Sequence, residues 1–475
     1  MIRQTLIVTC IGLALGGCSL APPLATPEMA LPVAYKEALP PIEGQWQEAA
    51  PADAVDRGEW WGIFGDPVLS ALVVEAGTAN QDLLAAAERV EQSRAFVKNA
   101  EAARLPRVDF GAGAARAQPP GVVPGFGGIG GLPPYELYQA TLAASYEVDL
   151  FGRVRDSVRA SEADLAAQQA LYESLKLTLQ ADVARTYFLT RQVDAEREVV
   201  GEAIRLREER VRILDRRMAA GDISELDLAR ARAELANART DALSLERARG
   251  QYEHALATLL GRPASGFTLA PLPIVGVPPS IPAGLPSQLL ERRPDIAAAE
   301  RRLAAANARI GVAKSAFYPL INLTADAGVA ASDIGDLFEW SARTWTLGPL
   351  GAALMTLPVF DGGRNEANLA RAESALREET AAYRQTVLGA LTEVEDALIG
   401  LRTLGQQSGT VADARQAANR AADIARQRYD AGATGYLDVV DAQREALDAD
   451  RLEVQIRGAR FATTLALVKS LGGGW

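Results

Sequence analysis

This chain is poor in the side chains that carry chemistry. Among 475 residues there are two Cys and one His. A lone His without Cys companions cannot build a zinc site, so His254 reads as a surface or packed residue. A basic surplus is also missing. The chain has 49 Lys+Arg against 60 Asp+Glu, a formal net charge of −11, which gives no support to a nucleic-acid partner. Beyond the first residues, nothing approaches the run of about 18 apolar residues that a membrane helix needs. Any segment crossing a bilayer would therefore be a β-strand closed into a barrel. Gly125-Phe126-Gly127-Gly128 is followed by no Lys-Ser or Lys-Thr, so no phosphate loop is present. Carboxylates abound, but none stands apart from ordinary helix-surface Glu and Asp. The sequence offers no catalytic constellation, no cofactor site and no metal cluster, and it does not read as an enzyme.

What is there begins with a leader. Arg3 gives a short basic start, Leu6 to Leu15 an apolar core, and Leu15-Gly16-Gly17-Cys18 a small-residue ending, the layout of a secretory signal. The ending resembles a bacterial lipobox, in which Cys18 becomes the acylated first residue of the mature chain. An ordinary signal with a chance Cys is the alternative. In such lipoproteins an Asp after the Cys favours the inner membrane, so Ser19 implies the outer one. Cys10 leaves with the signal. Cys18 is then the sole mature Cys, and no intrachain disulfide can form.

The rest of the chain is written twice. Asp82, Ala85, Ala86, Arg89, Ala95 and Pro106 recur 213 positions later as Asp295, Ala298, Ala299, Arg302, Ala308 and Pro319. The offset then becomes 211. Gly152-Arg153, Arg217, Gly221, Leu226-Asp227 and Leu260-Gly261 return as Gly363-Arg364, Arg428, Gly432, Leu437-Asp438 and Leu471-Gly472. Such a period marks one structural unit used twice, a frame better suited to a wall or pore than to a catalytic centre.

This divides the chain into a leader (1–17), an anchor and extended strap (18–66), a first repeat (67–262), a Pro-rich linker lying extended on the surface (263–286) and a second repeat (287–475). A helical pattern runs from about Pro67 to Arg104, where Pro106 stops it. Period-two alternation predicts strands over about 107–116, 140–149, 320–331 and 345–360. Each is near the length of a tilted membrane strand. Alone, the alternation fits a soluble β-sandwich edge equally well; the duplication and the lipobox favour the membrane. A Gly/Pro loop covers 118–134. Val154, Val158, Leu165, Tyr172, Leu175, Leu179 and Val183 form a coiled-coil-like seam. Further helices are expected at about 200–218, 223–260, 364–403, 411–431 and 435–470, with Gly221 and Gly432 as left-handed helix breaks. Gly152-Arg153 and Gly363-Arg364 sit where strand turns to helix. Arg205 to Arg212 reads as a solvated helical face with i, i+4 partners, or as a contact for a partner's helical hairpin.

Several stretches carry a family resemblance. They are Trp61-Gly62-Ile63-Phe64-Gly65-Asp66-Pro67, Asn80-Gln81-Asp82-Leu83, Tyr146-Glu147-Val148-Asp149-Leu150-Phe151-Gly152-Arg153, Arg292-Arg293-Pro294-Asp295-Ile296, Pro358-Val359-Phe360-Asp361-Gly362-Gly363-Arg364, Tyr436-Leu437-Asp438-Val439 and the terminal Leu471-Gly472-Gly473-Gly474-Trp475. In this order they resemble the TolC-type outer-membrane factors, specifically the lipoprotein branch serving multidrug (RND-type) efflux pumps. The resemblance implies a mostly α fold with a membrane β portion. Three chains would share a 12-stranded barrel, four strands each, continued by a long periplasmic α-helical barrel. It implies a homotrimer in the outer membrane, anchored by a palmitate-type acyl group on Cys18, docking to a periplasmic adaptor and an inner-membrane pump. The function implied is a passive exit duct for drugs or other small molecules. The alternatives are the duct of a type I protein secretion system and a trimeric helical surface lipoprotein without channel activity.

In the family, helix ends at the periplasmic tip close the tunnel. The resemblance places those tips at helix reversals expected near 194–202 and 404–412. Asp413, with Leu404 and Val411 as an apolar constriction and Asp423 as a second acidic candidate, would then form the gate. The competing reading of Asp413 is a helix N-terminal carboxylate favoured by the helix dipole.

Overall fold

The computed structural model describes residues 19–25, 27, 29, 32–37, 58–118, 134–281, 292–348 and 353–473. The leader, Cys18, most of the 118–134 loop and the end of the linker lie outside them. The elements in chain order are α1 (Pro67–Ala79), α2 (Gln81–Ala102), β1 (Arg107–Ala117), β2 (Tyr135–Val148), α3 (Arg153–Ala219) and α4 (Glu225–Leu259). They continue with α5 (Pro294–Ser315), β3 (Leu320–Ala331), β4 (Arg343–Leu347), β5 (Ala353–Thr356), α6 (Arg364–Asp430) and α7 (Tyr436–Ser470). The duplication is visible in the lengths. Both α3 and α6 have 67 residues, and both α4 and α7 have 35. A helix of 67 residues extends about 100 Å.

Chain contacts define two compact units, one of 1–27, 90–168 and 298–383, the other of 28–89, 169–297 and 384–475. The first carries the sheet, antiparallel throughout in the order β1-β2-β3-β4, with β5 also paired to β3. Its register carries each face across all strands. Phe110, Leu142, Ala327 and Trp345 form one apolar row, and Val108, Ala144, Ala325 and Leu347 the next. Between these rows, and therefore on the opposite face, Asp109 pairs with Ala143, Ala143 with Asp326 and Asp326 with Thr346. Gly328 lets β2 and β3 approach, because a Cβ there would stand 2.1 Å from the Ala140 carbonyl oxygen.

Three of the expected elements change at this level. The strand expected at 140–149 starts earlier, at Tyr135. The one expected at 345–360 is two pieces, β4 and β5, ending at Thr356. Pro358, two residues past Thr356, cannot donate to a continuing ladder. The helix expected over 67–104 is broken at Asn80, which takes extended angles (φ −68°, ψ 126°). Its side chain explains the break. Oδ1 accepts from the Leu83 amide at 3.0 Å, and Nδ2 donates to the Leu259 carbonyl at 2.9 Å.

The second unit is helical. Arg232 pairs with Asp215, Arg239 with Glu208 and Arg249 with Asp194. Rising numbers thus meet falling ones, so α3 and α4 form an antiparallel hairpin. The same holds for α6 and α7, where Arg415 meets Asp450 and a Cβ on Gly400 would touch Thr463. Val193, Val200 and Leu245 form an apolar seam of the first hairpin, with Ile204, Ala242, Ala248 and Tyr252 packed on it. The linker is more than a surface connection. Leu269, Ile274 and Ile281 are buried, and Arg191 and Arg249 each donate to a linker carbonyl, those of Ala270 and Leu269, at 2.5 Å. The strap also departs from a wholly extended run. Trp60–Phe64 forms a 3₁₀ turn, Trp60 donates to Gln180 at 2.9 Å, and Phe64 packs on Phe188.

Candidate functional site: sheet faces, strand–helix turns and hairpin tips

The sequence points to no reactive centre, so the candidate features are surfaces and turns. The first is the apolar sheet face. Phe110, Trp345, Val108, Leu142 and Leu347 are all exposed. Contiguous exposed apolar surface of this kind marks a partner or a membrane. Among the described residues, β1 has no strand partner on its outer side, and neither do β4 and β5.

The second feature is the pair of strand–helix turns. Gly152 and Gly363, at φ 75° and 85°, immediately precede α3 and α6. Aspartates cap both helices. Asp149 accepts from the Val154 and Arg155 amides at 3.1 and 2.9 Å, and Asp361 from the Gly363 and Asn365 amides at 2.9 Å each. These bonds satisfy amides that a helix start leaves open. They hold the Asp361 carboxyl below its ordinary range, the Asn365 amide contributing most. Arg153 forks onto Glu147 at 2.7 and 2.5 Å, while Arg364 is exposed.

The third feature is the hairpin tips, and here the structure corrects the sequence reading. Both α3 and α6 are unbroken, so no reversal occurs near 194–202 or 404–412. Gly405 and Gly409 weaken a helix interior, but neither takes positive φ. The reversals fall at Gly221 and Gly432, with φ 79° and 71°. Asp222 N–H reaches back to the Arg217 carbonyl at 2.9 Å, and Ala433 N–H to that of Arg428 at 2.8 Å, the bonding of a left-handed helix cap. Asp413, Leu404 and Val411 are therefore interior positions of α6. Asp413 is exposed, Leu404 half-buried and Val411 buried. Asp423 is exposed and lies about two turns before the reversal.

Next to the tips a cluster joins the two hairpins. Leu214, Leu228, Ala231, Tyr429, Tyr436, Val439 and Val440 pack together. The Tyr429 and Tyr436 rings lie 5.4 Å apart, and Arg210 and Arg217 both face the Tyr429 ring. Burial pushes the Tyr436 hydroxyl up to about 12. Arg210 also reaches Asp430 at 3.3 Å, and Glu234 binds Arg444 and Arg207. The Arg205–Arg212 run is thus only partly a solvated face, since Arg207 and Arg210 are turned into this junction. The duplicated Arg217/Arg428 pair and the Tyr436-Leu437-Asp438-Val439 stretch lie at this junction, but nothing in the sequence pairs Tyr436 with Tyr429.

The sheet has one exposed apolar face, and among the described residues no helix is long and apolar enough to cross a membrane. The chain belongs to the outer membrane efflux protein family, whose model matches residues 72–262 and 285–473. It is 34% identical over 477 residues to the toluene efflux pump outer membrane protein TtgI of Pseudomonas putida, covering 98% of this chain and 97% of that one. It is 31% identical to the cation efflux system protein CusC of Escherichia coli, covering 99% and 98%. The CmeC outer membrane channel of Campylobacter jejuni shares its fold at a TM-score of 0.86, with 27% identity over 96% of this chain and 95% of that one. The chain is an outer-membrane efflux channel protein with a mostly α, part β fold.

Proposed function

We propose that three copies of this chain form the exit duct of a tripartite efflux pump. The observation that carries the reading is the sheet. Among the described residues it has two open edges and one exposed apolar face, and open edges cannot face lipid. With β4 and β5 as one interrupted strand position, each chain supplies four strands, and three chains supply twelve. The polar row of Asp109, Ala143, Asp326 and Thr346 then lines a water-filled lumen. Acylation of Cys18 fixes each subunit to the outer membrane. A periplasmic adaptor and an inner-membrane RND-type pump are the partners, and the pump supplies the energy. The chain performs no chemistry of its own. Its cargo is drugs or other small molecules; the two relatives are named for toluene and for cations.

Asp423 is the gate candidate favoured by its place near the hairpin reversal. Three copies form an acidic ring that holds cations and pins the helix ends together. Leu404, Val411 and Asp413 lie earlier on α6, further from the reversal, where a ring of Asp413 carboxylates would line the duct without closing it. Planar-bilayer recordings test both levels. The expected result is a small wild-type conductance that rises in Asp423→Ala and changes little in Asp413→Ala. A chain that inserts without any conductance would favour a helical surface lipoprotein. Deleting the gene separates the remaining alternative, because unchanged drug accumulation with lost protein secretion would indicate a type I secretion duct.

A further inference from the structure

The apolar sheet face ends in a polar rim, and the two ends of the face differ. Near Val148 the chain leads into α3, and near Ile321 it has just left α5. The level of Tyr138 and Ala331 is therefore the end remote from the helices. There the outward positions turn polar. Arg116 pairs with Glu136 at 3.6 Å, and the Tyr138 hydroxyl donates to Glu136 at 3.0 Å.

The cation of β4 at this end is Arg343. It lies opposite Val329, on the face that carries Trp345 and Leu347, because alternate residues of a strand share a face. Its guanidinium stands over the Trp340 ring, 3.7 Å from the centroid. Among the described residues no carboxylate pairs with it. In the loop before β4, Asp333 accepts from the Gly335 amide at 2.7 Å, and Asp336 and Glu339 are exposed. Phe338, Trp340 and Trp345 are 85%, 78% and 75% exposed. Exposed aromatics at the end of an apolar strand face are the pattern of a membrane interface. A neighbouring copy supplies no anion on this face either. Closing the proposed barrel brings β4 against β1 of the next copy, whose outward positions are Val108, Phe110, Ala112, Ala114 and Arg116.

We propose that Arg343, held against Trp340, binds the phosphate of an outer-leaflet lipid. A guanidinium presents a planar fork of donors that fits phosphate oxygens in pairs. Stacking on Trp340 orients that fork and leaves its edge N–H groups free. The acyl chains of the same lipid lie on the next row toward the helices, that of Trp345, Leu142 and Phe110. The site rests on the duct reading, which puts this face in the membrane, and adds a lipid ligand to it. Since β4 is an edge strand, each site lies beside a seam between copies.

The test uses the full chain, extracted in detergent and titrated with lipid A, an outer-leaflet lipid carrying two phosphates. Native mass spectrometry counts the bound lipid, and dephosphorylated lipid A is the comparison. The inference expects wild type to favour the phosphorylated form about tenfold or more, and Arg343→Gln to lose that preference. Trp340→Leu should weaken binding about threefold. Arg116→Gln, whose charge already faces Glu136, should bind like wild type. All three substituted side chains are exposed, and Trp340→Leu decides if Arg343→Gln does not assemble. Wild-type binding by Arg343→Gln, an equal loss in Arg116→Gln, or complete displacement of lipid A by equimolar inorganic phosphate overturns the inference. The membrane face is measured separately, in vesicles of lipid brominated along its acyl chains. Quenching that disappears in Trp345→Phe keeps the duct reading whatever lipid A does, and no Trp345-dependent quenching sinks that reading and the lipid site together.

Discussion

Arg249 of α4 donates through Nε to Asp194 of α3 at 2.7 Å, and both side chains are almost entirely buried. The same pair grips the linker. Arg249 reaches the Leu269 carbonyl, and Asp194 accepts from the Leu272 amide at 3.1 Å. The connection between the two repeats is therefore held by charges inside the first hairpin.

Without the Asp194 carboxylate the buried Arg191 and Arg249 both lose an anionic partner in a poorly hydrated site, Arg249 keeping Glu253 at 3.0 Å. Asp194→Ala is expected to destabilise the helical unit by about 3–5 kcal/mol, read as a lower thermal midpoint of the helical circular-dichroism signal. The double variant Asp194→Leu/Arg249→Met should recover much of that loss. A double variant no more stable than the single one would contradict this assignment.

The hairpin turns and the hairpin base differ in what a methyl group would meet. Gly221 has open space around its missing Cβ, so Gly221→Ala carries only the left-handed penalty of about 1–2 kcal/mol. At Gly261, with φ 67°, a Cβ would lie 2.2 Å from the Ala79 carbonyl oxygen. Backbone has to move there, and Gly261→Ala should cost about 3 kcal/mol or more. Equal melting shifts for the two variants would refute the distinction.

Alkaline pH should loosen the hairpin junction. The Tyr436 hydroxyl is raised by burial from its ordinary value of 10.0 to about 12. A folded value above the unfolded one means the stabilisation is complete below pH 10 and is lost as pH rises through 12. Wild type should lose thermal stability between pH 10 and 12, and Tyr436→Phe should lose less across the same window. Parallel losses would place the alkaline transition elsewhere.

The lumen row makes a selectivity prediction. Asp109 and Asp326 pair with Ala143 from its two sides, and three chains bring six carboxylates to one level of the proposed barrel. Asp326→Asn should lower cation over anion permeability without changing channel number. An unchanged reversal potential under a salt gradient would put this face outside the ion path.

Much of this architecture is legible in the sequence because it is repeated. The 211-residue offset from Gly152-Arg153 to Gly363-Arg364 locates the starts of α3 and α6, and alternation after Pro319 gives both ends of β3. Continuity was harder to read. The resemblance set the reversals near 194–202 and 404–412, but α3 and α6 run through both, and the chain turns back at Gly221 and Gly432, where the backbone is left-handed. That error displaced the tips by more than twenty residues and put Asp413 rather than Asp423 beside them. The Asn80 break was hidden because its cause, the Leu259 carbonyl, lies 179 residues away.

The shared barrel is the centre of this account, and the mass of the detergent-extracted assembly, corrected for bound detergent, tests it most directly. A mass near three chains of 50.4 kDa is the predicted result. A clean, folded monomer would leave four strand positions with open edges and would contradict the duct.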